Sequence, residues 1–133
     1  MLSIEIASKL DKIHEVESLV DKVSAEMGLS EDHYGNVLIA VTEAVNNAII
    51  HGNKYSEEKS VLISVKKGEK EIVFTVSDKG NGFDFNNLPD PTAPENIEKP
   101  DGRGIFLMKN LSDGVEFDNA GSTVRITFAL ANV

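Results

Sequence analysis

An α+β fold, a two-layer sandwich with helices on one face of a mixed, mainly antiparallel sheet, is what the 133-residue sequence predicts. Three observations lead there. Two stretches in the first half carry apolar residues at three- and four-residue steps, the period of a helix with one buried face. Two pairs of β-rich segments are each joined by a short turn, as in antiparallel hairpins. The order that results, β-α-α-β-β-loop-α-β-β, lacks the strand–helix alternation of a parallel doubly wound sheet.

Each element follows from local chemistry. Ser3 to Ala7 alternates enough for an edge strand, and Ser8-Lys9-Leu10-Asp11 offers a helix start. Leu10, Ile13, Val16, Leu19, Val20 and Val23 form the apolar stripe of the first helix, which should end near Gly28. Ser30, followed by Glu31 and Asp32, reads as the N-cap and acidic first turn of a second helix that runs to about His51, where Gly52-Asn53 stops it. Its core stripe is Tyr34, Val37, Leu38, Val41, Ala44, Val45, Ala48 and Ile49. Val61–Val65 and Ile72–Val76 pair across Lys67-Gly68-Glu69. Phe83 to Asp101 holds all four prolines and reads as a long loop, and Gly104 to Leu111 has the step of a short helix. Val115–Phe117 and Ser122–Phe128 make a second hairpin turning at Asn119-Ala120-Gly121.

One domain spanning 1–133 suits this length. No apolar run approaches the ~20 residues of a membrane helix, and the start lacks the basic and apolar regions of a secretion signal. With no cysteine either, the expectation is a cytoplasmic protein that neither enters a membrane nor depends on disulfides. A formal net charge of -9 without a basic patch disfavours nucleic acid as a partner.

The second helix carries more than a core stripe. Glu43 and Asn47 lie opposite that stripe, one turn apart, so their side chains can converge on one ligand. No Lys or Arg occurs between Lys22 and Lys54, and Glu43 shares its face with Ile39, Ala40, Asn46 and Ile50, which points to a covered face or a cleft. An amide oxygen is a hard ligand suited to Mg²⁺, and a neighbouring carboxylate can deprotonate an attacking hydroxyl. From this helix alone, an exposed Glu43 and an Asn47 bonded to a neighbouring loop account for the pattern equally well.

Two glycine motifs lie downstream. Asp78-Lys79-Gly80-Asn81-Gly82 puts an acid at the end of a buried strand, followed by Gly80 and Gly82, which let backbone approach a flat ligand. A carboxylate there can accept a hydrogen bond from an adenine amino group. Asn-Gly is also a hairpin signal, but no second strand follows directly. Asp101-Gly102-Arg103-Gly104 then sits at the start of a helix, where free amides favour an anion, and Arg103 can add charge beside phosphates. A dinucleotide fingerprint is excluded by context, because no parallel crossover unit surrounds either run. The Walker lysine motif, a cysteine nucleophile and an HExxH metal site are all missing from the sequence.

Taken together, Glu43-Ala44-Val45-Asn46-Asn47-Ala48-Ile49-Ile50-His51-Gly52, Asp78-Lys79-Gly80-Asn81-Gly82 and Gly102-Arg103-Gly104 resemble the N, G1 and G2 boxes of the Bergerat-fold ATPases. That superfamily includes gyrase, histidine kinases and MutL. The resemblance is greatest to its branch of anti-sigma-factor serine/threonine kinases, and it covers nearly the whole chain. It implies ATP and Mg²⁺ as cofactors, with Asn47 on the metal, Glu43 as general base and Asp78 on adenine. Gly80 and Gly82 would pack beside the base, and Gly102, Arg103 and Gly104 would sit by the phosphates at the end of a lid. His51 is expected to be structural. The implied function is an ATP-dependent serine/threonine protein kinase that acts as an anti-sigma factor and phosphorylates an anti-sigma antagonist. The implied partners are that antagonist, a sigma factor or similar regulator, and a second copy in a homodimer. The alternative is a nucleotide-regulated module that sequesters a regulator with little turnover.

Overall fold

A computed structural model describes residues 2–53, 56, 58–79, 100–118 and 122–130, with the helical stretch 100–103 described for its backbone. Alternation of apolar residues builds the sheet. In β1 (Leu2–Ala7), β2 (Ser60–Lys67), β3 (Glu71–Ser77), β4 (Gly114–Asp118) and β5 (Thr123–Ala129), every second side chain faces the helices. The spatial order is β1-β2-β3-β5-β4. The sheet was expected to be mixed; each pairing among the described residues is antiparallel, because every connection between neighbouring strands reverses direction.

Register stacks the apolar positions into rows. Ile6 lies opposite Val61, Ile72 opposite Phe128, Phe74 opposite Ile126 and Val76 opposite Val124, and all of these are buried. The Phe74 and Phe128 rings meet edge to face, with centroids 6.0 Å apart.

The helices cover that one face. A short 3₁₀ turn at Leu10–Lys12 precedes α1 (Ile13–Met27), so the first helix begins a few residues later than its sequence suggests. It ends where expected, with Gly28 at φ 65 donating its N–H to the Ser24 carbonyl at 2.8 Å. The Ser30 hydroxyl accepts the His33 N–H at 3.1 Å and caps α2 (Glu31–Asn47). Val16, Val20 and Val23 of α1 pack with Val37, Val41 and Val45 of α2 over the sheet. Tyr34 of α2 donates its hydroxyl to Asp21 of α1, which holds the phenol above its usual pKa.

Two departures from the sequence expectation bear on function. The second helix continues to Gly52, but its last turn, Ala48–Gly52, is a π-turn closed by the Asn53 N–H on the Ala48 carbonyl at 2.8 Å. The helix expected from Gly104 begins earlier: α3 spans Pro100–Leu111 and packs beside α2. Pro100 fits a first helical position, where no N–H is needed. The loop residues 80–99 and the turn at Asn119-Ala120-Gly121 lie outside the described residues.

Candidate functional site

Glu43 and Asn47 lie on α2 where it passes under α3. Their face is split: Ala40 is fully buried, Glu43, Asn46 and Ile50 are half-buried, and Ile39 is exposed. Asn47 is buried at 8% exposure, and the bland reading of it as a loop-bonding residue fails, because its Nδ2 is buried without a hydrogen-bond partner. Leaving such a donor unpaired costs about 1–3 kcal/mol; no cation can satisfy an NH2 group, but turning the amide over presents its oxygen, a hard metal ligand, at the same point.

What faces that amide is backbone. A Cβ built on Gly104 of α3 would stand 2.9 Å from Asn47 Nδ2, 3.1 Å from Glu43 Oε2 and 3.4 Å from Asn47 Oδ1. Glu43 and Asn47 therefore converge on a single point of α3, and only the missing side chain at Gly104 allows that approach. Gly102 and Arg103 precede it in the same helix, within the first turn, whose amides have no intrahelical acceptor. The Arg103 side chain lies outside the described residues, as do Gly80 and Gly82.

Asp78 belongs to a second cluster. It directly follows β3, and its N–H donates to the Ser122 carbonyl at 2.8 Å, extending the β3–β5 ladder by one bond. Its carboxylate rests on Gly52, where a Cβ would lie 2.3 Å from Asp78 Cγ. Gly52 was read in the sequence as a helix stop; its close approach to Asp78 is the further reason for glycine at that position. The π-turn residues Ala48 to His51 separate Asn47 from Gly52.

A cleft joins the clusters. Asn47, Asp78 and Ser122 contribute its polar wall, and Ala44, Ala48, Val76, Ile105, Met108, Phe117 and Val124 its apolar one. Alanine at 44 and 48 keeps α2 low, so a flat ring could lie between helix and sheet. The free volume is only about 10 Å³, room for a single water, so the cleft must widen to admit a base.

The donors fit Mg²⁺ better than a metal that needs a protein cage. Among the described residues no group of three or more His, Cys, Asp or Glu side chains surrounds a common point. An amide that can present its oxygen, next to one carboxylate, suits an ion that takes most of its ligands from phosphate and water. His51 Nε2, also buried and unpartnered, lies one turn beyond Asn47 and contacts no described acceptor.

The structure thus brings Glu43, Asn47 and Gly104 together, and Asp78 with Gly52. Sequence reasoning placed Gly52 only as the helix stop that ends the N box, and it missed Ser122 and Asn53. The one available signal was Asn53 directly after the helix-ending His51-Gly52, and it does not by itself suggest a buried side chain.

An anti-sigma F factor from Clostridium beijerinckii is 31% identical over 89% of this chain and 84% of its own length. A serine-protein kinase RsbW from Bacillus cereus is 28% identical over 95% of this chain and 82% of its own. The RsbW of Oceanobacillus iheyensis is 26% identical over 89% of this chain and 78% of its own. In fold, 96% of the chain superposes on 30% of a Mycobacterium tuberculosis chain whose crystal structure contains RsbU and RsbW domains, with a TM-score of 0.65 at 15% identity. Residues 6–128 match the family described as the histidine kinase-like ATPase domain, and the chain belongs to that family.

Proposed function

We propose that this chain is an ATP-dependent serine/threonine protein kinase that also acts as an anti-sigma factor in a bacterial partner-switching system. The observation that carries the proposal is the meeting of Glu43 and Asn47 at Gly104, with the Asn47 amide buried and unpartnered. The names of the relatives, anti-sigma factor and serine-protein kinase, support the same reading.

Each residue has a role in this reading. Asp78 accepts a hydrogen bond from the adenine 6-amino group, with Gly80 and Gly82 beside the base. Gly102 and Arg103 in the first turn of α3, and Gly104 just beyond it, lie by the phosphates, where a helix N-terminus favours negative charge. Asn47 holds Mg²⁺ through its amide oxygen, and the ion, when bound, neutralises charge on the phosphates. Glu43 accepts the proton of an incoming serine or threonine hydroxyl. The hydroxyl oxygen bonds to the γ-phosphorus, the bond from that phosphorus to the β–γ bridging oxygen breaks, and ADP leaves with the electron pair.

The phosphoacceptor is an anti-sigma antagonist, and a sigma factor or similar regulator is the protein held in check. A homodimer and a cytoplasmic location complete the proposal. Among the described residues no helix is long and apolar enough to cross a membrane.

A second reading, a nucleotide-regulated binding module with little turnover, draws on the narrow cleft, since a bound base must widen it whether or not phosphate is transferred. One experiment separates the two: incubation with labelled Mg²⁺-ATP and each antagonist-like protein of the host. The kinase reading expects one antagonist labelled on serine or threonine, with transfer falling about 10²–10⁴-fold in Glu43→Gln while ATP affinity is kept. Nucleotide-dependent partner binding without labelling would instead establish the binding module.

A further inference from the structure

Asn53 is among the most buried polar residues of those described, at 1% exposure, and all of its side-chain bonds are long-range or cross a loop. Its Nδ2 donates to Ser8 Oγ at 2.8 Å, to the Ser60 carbonyl at 3.0 Å and more weakly to the Lys59 carbonyl at 3.4 Å. Ser8 in turn donates to the Lys59 carbonyl. These bonds close the loop between α2 and β2 onto the end of β1, and a purely structural residue would need nothing more.

The remaining bond goes elsewhere. Asn53 Oδ1 accepts the N–H of Lys79 at 2.7 Å, the residue directly after Asp78. The Asp78 N–H is fixed separately on the Ser122 carbonyl at 2.8 Å. Peptide units are planar, so anchoring the N–H on each side of the Asp78 Cα holds both flanking planes, and with them the direction in which the side chain leaves the backbone. The carboxylate then lies against Gly52, the neighbour of Asn53. One dipeptide, Gly52-Asn53, thereby supplies both the surface on which the carboxylate rests and the acceptor that orients its backbone. The π-turn delivers that dipeptide, because the extra residue per turn closes on the Asn53 N–H.

We infer that Asn53 is a positioning residue for nucleotide base selection: it aims the Asp78 carboxylate through the Lys79 peptide. This rests on the reading of Asp78 as the acceptor for the adenine 6-amino group. Asn53 itself touches no ligand; it acts by keeping Asp78 from turning to other partners, so its effect should appear in the choice of base.

The test is a binding titration of the full chain with ATP and with purine riboside triphosphate, which lacks only the 6-amino group. Wild type should favour ATP by about tenfold or more. In Asn53→Ala the ratio should collapse to within about threefold. Ser8→Ala cuts the far end of the network, leaves the Lys79 bond, and should keep the wild-type ratio at whatever cost in stability. Should Asn53→Ala not fold, Asn53→Ser, which keeps a hydroxyl for the loop carbonyls, reads the same ratio. A wild-type ratio retained in a folded Asn53→Ala or Asn53→Ser overturns the positioning role alone. Equal affinities of wild type for the two nucleotides overturn the adenine reading of Asp78, and this inference with it.

Discussion

The Asp78 carboxylate sits directly on Gly52, so close that a Cβ at position 52 would lie 2.3 Å from its Cγ and 2.3 Å from Oδ2. No rotation of a methyl group relieves such a contact; either Asp78 turns away or the π-turn shifts. Gly52→Ala should therefore cost about 1–3 kcal/mol of stability, the usual price of overpacking, and weaken ATP binding at least tenfold. Gly35, in the same helix, has open space where a Cβ would go. Gly35→Ala should stabilise the protein by about 0.5–1 kcal/mol and leave ATP affinity unchanged. Thermal melts and nucleotide titrations of the two variants check the contrast.

Gly104→Ala sets two effects against each other. Alanine in a helix interior gains up to about 1 kcal/mol over glycine, while the new methyl meets the ends of two side chains, Asn47 and Glu43, which can swing aside at small cost. Stability should change by less than about 1 kcal/mol. The displaced groups are the proposed metal ligand and general base, so phosphoryl transfer should fall by at least tenfold in a protein that melts normally. Circular dichroism paired with a transfer assay reads both; a lowered melting point with full activity would show that Glu43 and Asn47 do not work at this contact.

The cleft must widen to admit a base, and α3 contributes Ile105 and Met108 to its wall. Adding Mg²⁺-ATP should change amide exchange in α3 and at the end of β3 more than in α1. At ATP concentrations near one hundred times Kd the protein gains about 2.7 kcal/mol, which corresponds to roughly 5–10 °C in Tm. Chelating the metal should remove most of that gain.

Much of this was legible in the sequence because the informative patterns are local. The apolar steps of α1 and α2, the Ser30 cap and the Gly28 stop each rest on residues within one or two turns and stand where their chemistry puts them, except Leu10, which is exposed in the 3₁₀ turn before α1. The convergence of Glu43 and Asn47 follows from the helical period alone. What could not be read is contact between distant segments. Nothing near Gly52 in the chain announces Asp78, and nothing near Asn53 announces Lys79 or Ser8. The π-turn was hidden for the same reason: Ala48-Ile49-Ile50-His51-Gly52 is an ordinary helical sequence, and the wider turn is selected by the bonds Asn53 makes across the fold. The earlier start of α3 reflects Pro100, which was read as part of a loop although it also suits the first position of a helix.

The central claim, that Asn47 of α2 holds the metal of a bound Mg²⁺-nucleotide, is tested most directly by calorimetric titration of wild type and Asn47→Ala with ATP, each with and without Mg²⁺. Wild type should bind ATP at least tenfold more tightly when the ion is present, and Asn47→Ala should lose that gain while remaining folded. Equal gains from Mg²⁺ in the two proteins would contradict the account.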